Sequence, residues 1–278
     1  MTATQLSPGR VRKTPAGAAA PGRRRAFDRY LNPVLGAVGV AVVLASWQIC
    51  ASTGVVDPKF SSSPSGAFGA LVDSFKSGDV WSPLGSTLSI VAWGMVISIV
   101  AAIPLGLLIG RNRVLYALTD PLISIMYSVP YVVFLPMLIF WFGIGADARV
   151  VIVVWSALFP LLINVIAGAR NLEQSHLQVS RVFCASRLMT LRSVAFPATL
   201  PYILAGVRQA VGRALIGAIV AELFMGSAGL GYVVQLKTSN FQTDDAMAAI
   251  AVIAVIAVLL NHGVAYLEQR LTFWSRTD

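Results

Sequence analysis

Apolar stretches at about Val34–Ala51, Leu84–Ile109, Pro121–Phe142, Val150–Ala167, Tyr202–Phe224 and Ala246–Tyr266 alternate with polar segments along the chain. At about 1.5 Å per residue, each crosses or nearly crosses a hydrocarbon core of about 30 Å. Backbone N–H and C=O groups in lipid have no water to bond, so each stretch must satisfy them internally as a helix. The pattern therefore predicts an all-α, polytopic membrane protein with six transmembrane helices.

The polar remainder sets the organisation. Residues 1–33 are rich in Arg, Pro, Gly and Ala without an apolar period, and read as a disordered basic tail. The first span covers 34–51 and a loop covers 52–83; residues 84–274 hold the other spans, and 275–278 form a short tail. Within the 52–83 loop, Ala67, Phe68, Leu71, Val72 and Phe75 fall at helical spacing, which predicts a short helix lying at the membrane interface.

Charge position gives the orientation. With the N-terminus inside, the inner segments hold fifteen Lys and Arg residues and the outer segments hold four: Lys59, Lys76, Arg149 and Lys237. Positive charge is retained on the cytoplasmic side, so both termini are expected to be cytoplasmic and 52–83 extracytoplasmic. Arg208 and Arg213 fall in the early turns of the fifth span, where long side chains reach toward the inner face.

Composition agrees: 56% of residues are hydrophobic, 12% are charged, and the mean hydropathy is +0.75. The formal charge of +9 does not indicate nucleic acid, because most of the charges sit in particular loops between apolar runs of about 20 residues. Arg24-Arg25-Ala26-Phe27 is not read as an export signal. Cys50 is not read as a lipidation site, since bulky Ile49 precedes it and five spans follow. Cys50 and Cys184 fall on opposite faces and cannot pair within one chain. Neither has a metal-ligand spacing with His176 or His262, so no metal and no cofactor are expected.

Catalysis finds no support. None of the lysines follows a glycine, so no phosphate cradle ends in Gly-Lys-Ser/Thr, and neither a Gly-x-Ser-x-Gly elbow nor a His-Glu-x-x-His pair occurs. No catalytic residue is assigned. A proton-coupled carrier would need several titratable groups at mid-membrane, and Glu222 is the only acidic residue well inside an apolar run.

That carboxylate could face a solute route, pair with an arginine, or sit in water at the outer end of its span. On one helix Arg208 and Arg213 lie about 21 and about 13 Å from it, so a partner must come from another helix. The second span carries Gly94, Ser98, Ala102, Gly106 and Gly110, a smooth stripe that lets another backbone approach closely. Tight static packing and a moving or pore-lining contact both fit it. Pro104, Pro130, Pro136 and Pro160 lie within spans, and the pair in the third span makes a straight rod there unfavourable.

The remaining long polar segment, 172–197, carries Glu173, His176, Gln178, Arg181, Arg187 and Arg192 and ends in Phe196-Pro197. Leu172–Phe183 and Arg187–Phe196 read as two short helices, with Ser186 as N-cap of the second. A polar two-helix knob on the basic face is a docking surface for a cytoplasmic partner, or an amphipathic loop resting on lipid headgroups.

This segment resembles the EAA loop of permease subunits in bacterial ABC importers. The aligned positions are Gln178, Val179 and Ser180, then Cys184-Ala185-Ser186, then Val194, Phe196 and Pro197. Spacing and the terminal proline match. The signature Glu is Gln178 here and the signature Gly is Cys184, which admits fewer backbone conformations. Val129-Pro130, Pro136, Trp141-Phe142-Gly143, Gly145, Phe159-Pro160, Asn164 and Gly168 are similar to permeases for aliphatic sulfonates, taurine and nitrate. So are Gly206, Arg208, Ala221-Glu222, Gly229-Leu230-Gly231 and Leu267-Glu268, and the likeness spans about Gly85 to Trp274.

The resemblance implies a permease core over 84–274 in a bacterial cytoplasmic membrane, surrounded by lipid. A second permease subunit, identical to this one, would complete the pathway. Two ABC ATPase subunits would grip the 172–197 coupling loop, and an extracytoplasmic solute-binding protein would deliver the solute. It further implies coupling roles for Glu173, Gln178, Val179, Ser180, Arg181, Cys184, Ala185, Ser186, Arg187 and Pro197. Asn164, Arg208, Gln209, Arg213 and Glu222 are the expected pathway groups. A sulfonate, taurine or nitrate-like anion is the implied solute; a pyrimidine precursor or flavin is the alternative, and a receptor or assembly subunit without transport is the rival role.

Overall fold

The computed structural model describes residues 21–53, 61–171, 186, 189, 193 and 196–272, with side chains from Val34 onward. All regular structure among the described residues is helical: α1 (Pro21–Ser52), α2 (Pro64–Ser77), α3 (Trp81–Arg111), α4 (Arg113–Ser128), a 3-10 turn (Tyr131–Phe134), α5 (Leu135–Phe142), α6 (Ala146–Arg170), α7 (Phe196–Met225), α8 (Leu230–Ser239) and α9 (Thr243–Leu271). Among the described residues five helices are long and apolar enough to cross a membrane; α4 with the turn and α5 pass the same test together, bent by 83°, and make six when counted as one span.

The break in the third span is where the prolines predict it. Pro130 forces Val129 into extended backbone, with ψ 124°, and α4 ends at Ser128. Pro136 then sits in the first turn of α5, where its missing N–H costs nothing. Phe134 stacks on Trp155 of α6 with ring centroids 5.0 Å apart, and Trp155 meets Phe159 at 5.9 Å, so the break is held against α6. Pro104 and Pro160 lie inside the long helices α3 and α6. Pro197 and Pro201 fall in the opening turns of α7.

Helix α6 is the centre of the bundle, with α3 on one side and α7 on the other. Asp147 lies in its first turn and Arg170 in its last, each at the end the peptide dipoles favour. The stripe on α3 packs against it. A β-carbon at Gly106 would lie 2.6 Å from Val165 Cγ1, and one at Gly110 the same distance from Ala169 Cβ. The corresponding position at Gly94 overlaps Val153, and Ser98 donates to the Val154 carbonyl at 3.4 Å. On the other flank Gly168 faces Thr199 and Tyr202, while Gly206 faces Leu161 and Asn164. Lipid tails are as apolar as these side chains, so close van der Waals fit, rather than exclusion of water, holds the three helices together.

The outer-loop helix is present as α2. Ser63 accepts Gly66 N–H at 3.0 Å as N-cap, Pro64 follows, and Gly78 closes the helix in the left-handed region at φ 82°. Ser62 donates to Asp244 Oδ1 at 2.7 Å, which docks this helix against the start of α9. Helix α1 begins at Pro21, inside the basic segment. Its apolar part, Val34–Ser52, has no buried residue and is tied on through Trp47 Nε1 to the Ser62 carbonyl at 2.9 Å and Ser65 N–H to Gln48 at 3.1 Å.

Candidate functional site

A polar row crosses the exposed faces of α6 and α7. Asn164 Nδ2 donates to the Pro160 carbonyl at 2.7 Å and to Gln209 Oε1 at 2.9 Å, bridging the helices. Its two hydrogens are then both committed, and the Gln209 NH2 has no hydrogen-bond acceptor among the described residues. Arg213 lies four residues further along α7, on the same face as Gln209, and is exposed. It is within electrostatic reach of Tyr131 in the turn after the break. Arg208 turns instead toward α9 and pairs with Glu268 at 3.5 Å. Because α7 begins at Phe196, Arg213 lies near its middle, about 26 Å from one end and about 18 Å from the other. This is deeper than the early turns where the sequence places it.

Glu222 is elsewhere. It is fully buried and does not reach the surface that carries Gln209 and Arg213. Its oxygens accept the Thr87 hydroxyl at 2.8 and 3.0 Å and Gly231 N–H at 2.8 Å. Thr87 Oγ1 in turn accepts Leu230 N–H at 2.9 Å. The bonded side-chain partner from another helix is therefore Thr87 of α3, and Arg149 of α6 acts on the carboxylate only electrostatically. Arg149 is buried and donates to the Ala228 and Gly145 carbonyls at 2.9 and 3.3 Å. Gly229 adopts φ 104°, and a side chain there would run into the Glu222 carboxylate. The Gly-Leu-Gly turn is thus shaped around Glu222, and the cluster ties α3, α6, α7 and α8 together.

Sequence reasoning missed Thr87 and Arg149. Thr87 is one hydroxyl at the start of a long apolar run, and Arg149 reads as an outer-loop charge. The available signal was the demand that an intramembrane carboxylate find donors on other helices.

Of the residues expected to form a coupling loop, Glu173, Gln178, Val179, Ser180, Arg181, Cys184, Ala185 and Arg187 lie outside the described residues. Ser186 Oγ accepts Met189 N–H at 3.2 Å, the bond an N-cap makes three residues on. Pro197 lies in the first turn of α7.

Residues 102–273 match the family described as binding-protein-dependent transport system inner membrane component. The chain belongs to that family. It is 30% identical over 240 residues to the taurine transport system permease protein TauC of Escherichia coli (strain K12), covering 84% of this chain and 87% of that protein. It is 29% identical to the bicarbonate transport system permease protein CmpB of Synechococcus elongatus, over 88% of this chain and 91% of that one. Against the putative aliphatic sulfonates transport permease protein SsuC of Bacillus subtilis (strain 168) it is 29% identical, over 84% and 85%. The inward-facing MetNI methionine ABC transporter shares the fold, with a TM-score of 0.62 at 16% identity over 68% of this chain and 94% of that chain. An amino acid ABC transporter solved with histidines gives 0.60 at 16% identity, over 72% and 98%.

As a member of this permease family, the chain is a multi-pass inner-membrane subunit of a binding-protein-dependent ABC importer. Permeases of this family are non-enzymatic; ATP is hydrolysed in a separate subunit, and a solute-binding protein is a partner.

Proposed function

We propose that this subunit forms, with a second copy of itself, the membrane passage for a small oxyanion of the sulfonate, taurine, nitrate or bicarbonate kind. The observation that carries the reading is the row Asn164–Gln209–Arg213. It is a line of two bridged amides and one exposed cation, with Gln209 and Arg213 on an exposed face of the long apolar helix α7. Relatives named for taurine, aliphatic sulfonates and bicarbonate support the anionic class.

Both termini are cytoplasmic in this reading, which rests on the fifteen-to-four distribution of basic residues. The 172–197 loop then faces the cytoplasm, where two ATPase subunits grip it through Arg181, Arg187 and neighbouring polar groups. Nucleotide-driven closure of that pair moves the packed helices as bodies and switches access from one side to the other.

The test is uptake by the full transporter, reconstituted with its ATPase and the solute-binding protein encoded beside it, whose ligand is first measured by calorimetry. An oxyanion ligand and ATP-dependent uptake are expected. A pyrimidine or flavin ligand would overturn the substrate class. Charge reversal at Arg181, Arg187 and Arg192 should abolish co-purification of the ATPase; unchanged association would overturn the docking assignment.

A further inference from the structure

Away from Lys76, Arg111 and Arg113 at the ends of α2, α3 and α4, the other cations described have a local partner, Arg213 excepted. Arg208 has Glu268 at 3.5 Å and Lys237 has Asp245 at 3.1 Å. Arg149 bonds main-chain carbonyls beside Glu222. The Arg170 guanidinium lies 3.6 Å from the Tyr116 ring centroid, and Arg270 bonds the Tyr266 hydroxyl at 2.6 Å. Arg213 differs. It is exposed near the middle of a membrane-crossing helix, and among the described residues no carboxylate lies within ion-pair distance of it. Lipid is a costly neighbour for such a group, so its side chain belongs in water or against an anion.

Its surroundings favour the anion. Gln209, one turn away on the same face, has its oxygen occupied by Asn164, which leaves its NH2 as a neutral donor one helical turn from Arg213. A planar fork of N–H groups with an amide donor alongside matches the oxygens of sulfonate, nitrate or bicarbonate. Asn164 acts as a positioning residue: it fixes the orientation of Gln209 and is itself anchored on the Pro160 carbonyl at 2.7 Å.

We infer that Arg213, with the Gln209 amide, is an anion-selecting station within the passage, so that the permease filters charge itself instead of relying on the binding protein alone. The inference rests on the assignment of this face to the passage. A single cation raises the local concentration of anions in a narrow, low-dielectric route and lowers that of cations, while one weak station still lets the solute leave.

The experiment uses the assembled permease–ATPase complex in membranes, with Cys50→Ser and Cys184→Ala removing the native thiols. Ile216→Cys and, separately, Gln209→Cys place a reporter thiol on the exposed face of α7. Each is labelled with an anionic methanethiosulfonate (the ethylsulfonate) and a cationic one (the ethyltrimethylammonium), with rates taken relative to a free thiol in solution. At Ile216→Cys the anionic reagent should react faster by about tenfold or more. Arg213→Gln should bring that ratio close to one, and Arg213→Lys should keep it. Labelling without a charge preference, or with one that Arg213→Gln leaves intact, overturns the filter while the passage stands. If neither thiol reacts in complexes that still retain the ATPase, the face is dry and the passage assignment itself falls.

Discussion

Thr87 of α3 gives its hydroxyl hydrogen to Glu222 of α7 at 2.8 Å while its oxygen receives Leu230 N–H at 2.9 Å. One side chain thus closes a circuit between helices, through residues 135 positions apart in the chain. Helix geometry alone could not have paired them.

Replacing Thr87 with valine keeps the shape and removes both bonds, stranding Leu230 N–H and one bond of the carboxylate. Leaving such buried groups unpaired costs about 1–3 kcal/mol. The variant should melt at a lower temperature in detergent than the parent, with Thr87→Ser falling between them. An unchanged melting temperature for Thr87→Val would show that the circuit contributes nothing.

Gly229 should tolerate no side chain. Its φ of 104° lies where other residues are strained, and a methyl group there meets the Glu222 carboxylate. Backbone strain of this kind costs on the order of 1–3 kcal/mol before the collision is counted. Gly229→Ala is expected to lower the yield of folded permease, read as the monodisperse peak in size-exclusion chromatography. Gly85→Ala, where a methyl meets nothing within 4 Å, is the matched control and should behave as the parent.

The Arg208–Glu268 pair should matter little for stability. The side chains are 53% and 27% exposed and 3.5 Å apart, so solvent screens much of the attraction. Exposed pairs of this kind contribute about 0–1 kcal/mol. Arg208→Ala should leave the melting temperature nearly unchanged, in contrast to Thr87→Val. A loss as large as that of Thr87→Val would mean the pair is held more tightly than its exposure implies.

Much of the fold was legible in the chain. Apolar length marked the membrane helices because lipid forces every backbone polar group into its own helix. Pro130 announced the break in the third span, and the stripe from Gly94 to Gly110 announced a close helix contact. Less was legible of the site. Glu222 and Arg213 each appeared as a charged residue in an apolar run, and nothing in the local sequence separated their fates.

Packing separated them. Glu222 turned inward to Thr87 and Gly231, while Arg213 remained on the exposed face of α7 that carries Gln209. The sequence by itself determined what each segment had to be, since hydropathy and proline act within one helix. Which side chains meet depended on the angles and separations at which α3, α6 and α7 cross. Those are decided by side-chain volumes contributed from distant parts of the chain, and appear only once the helices are assembled.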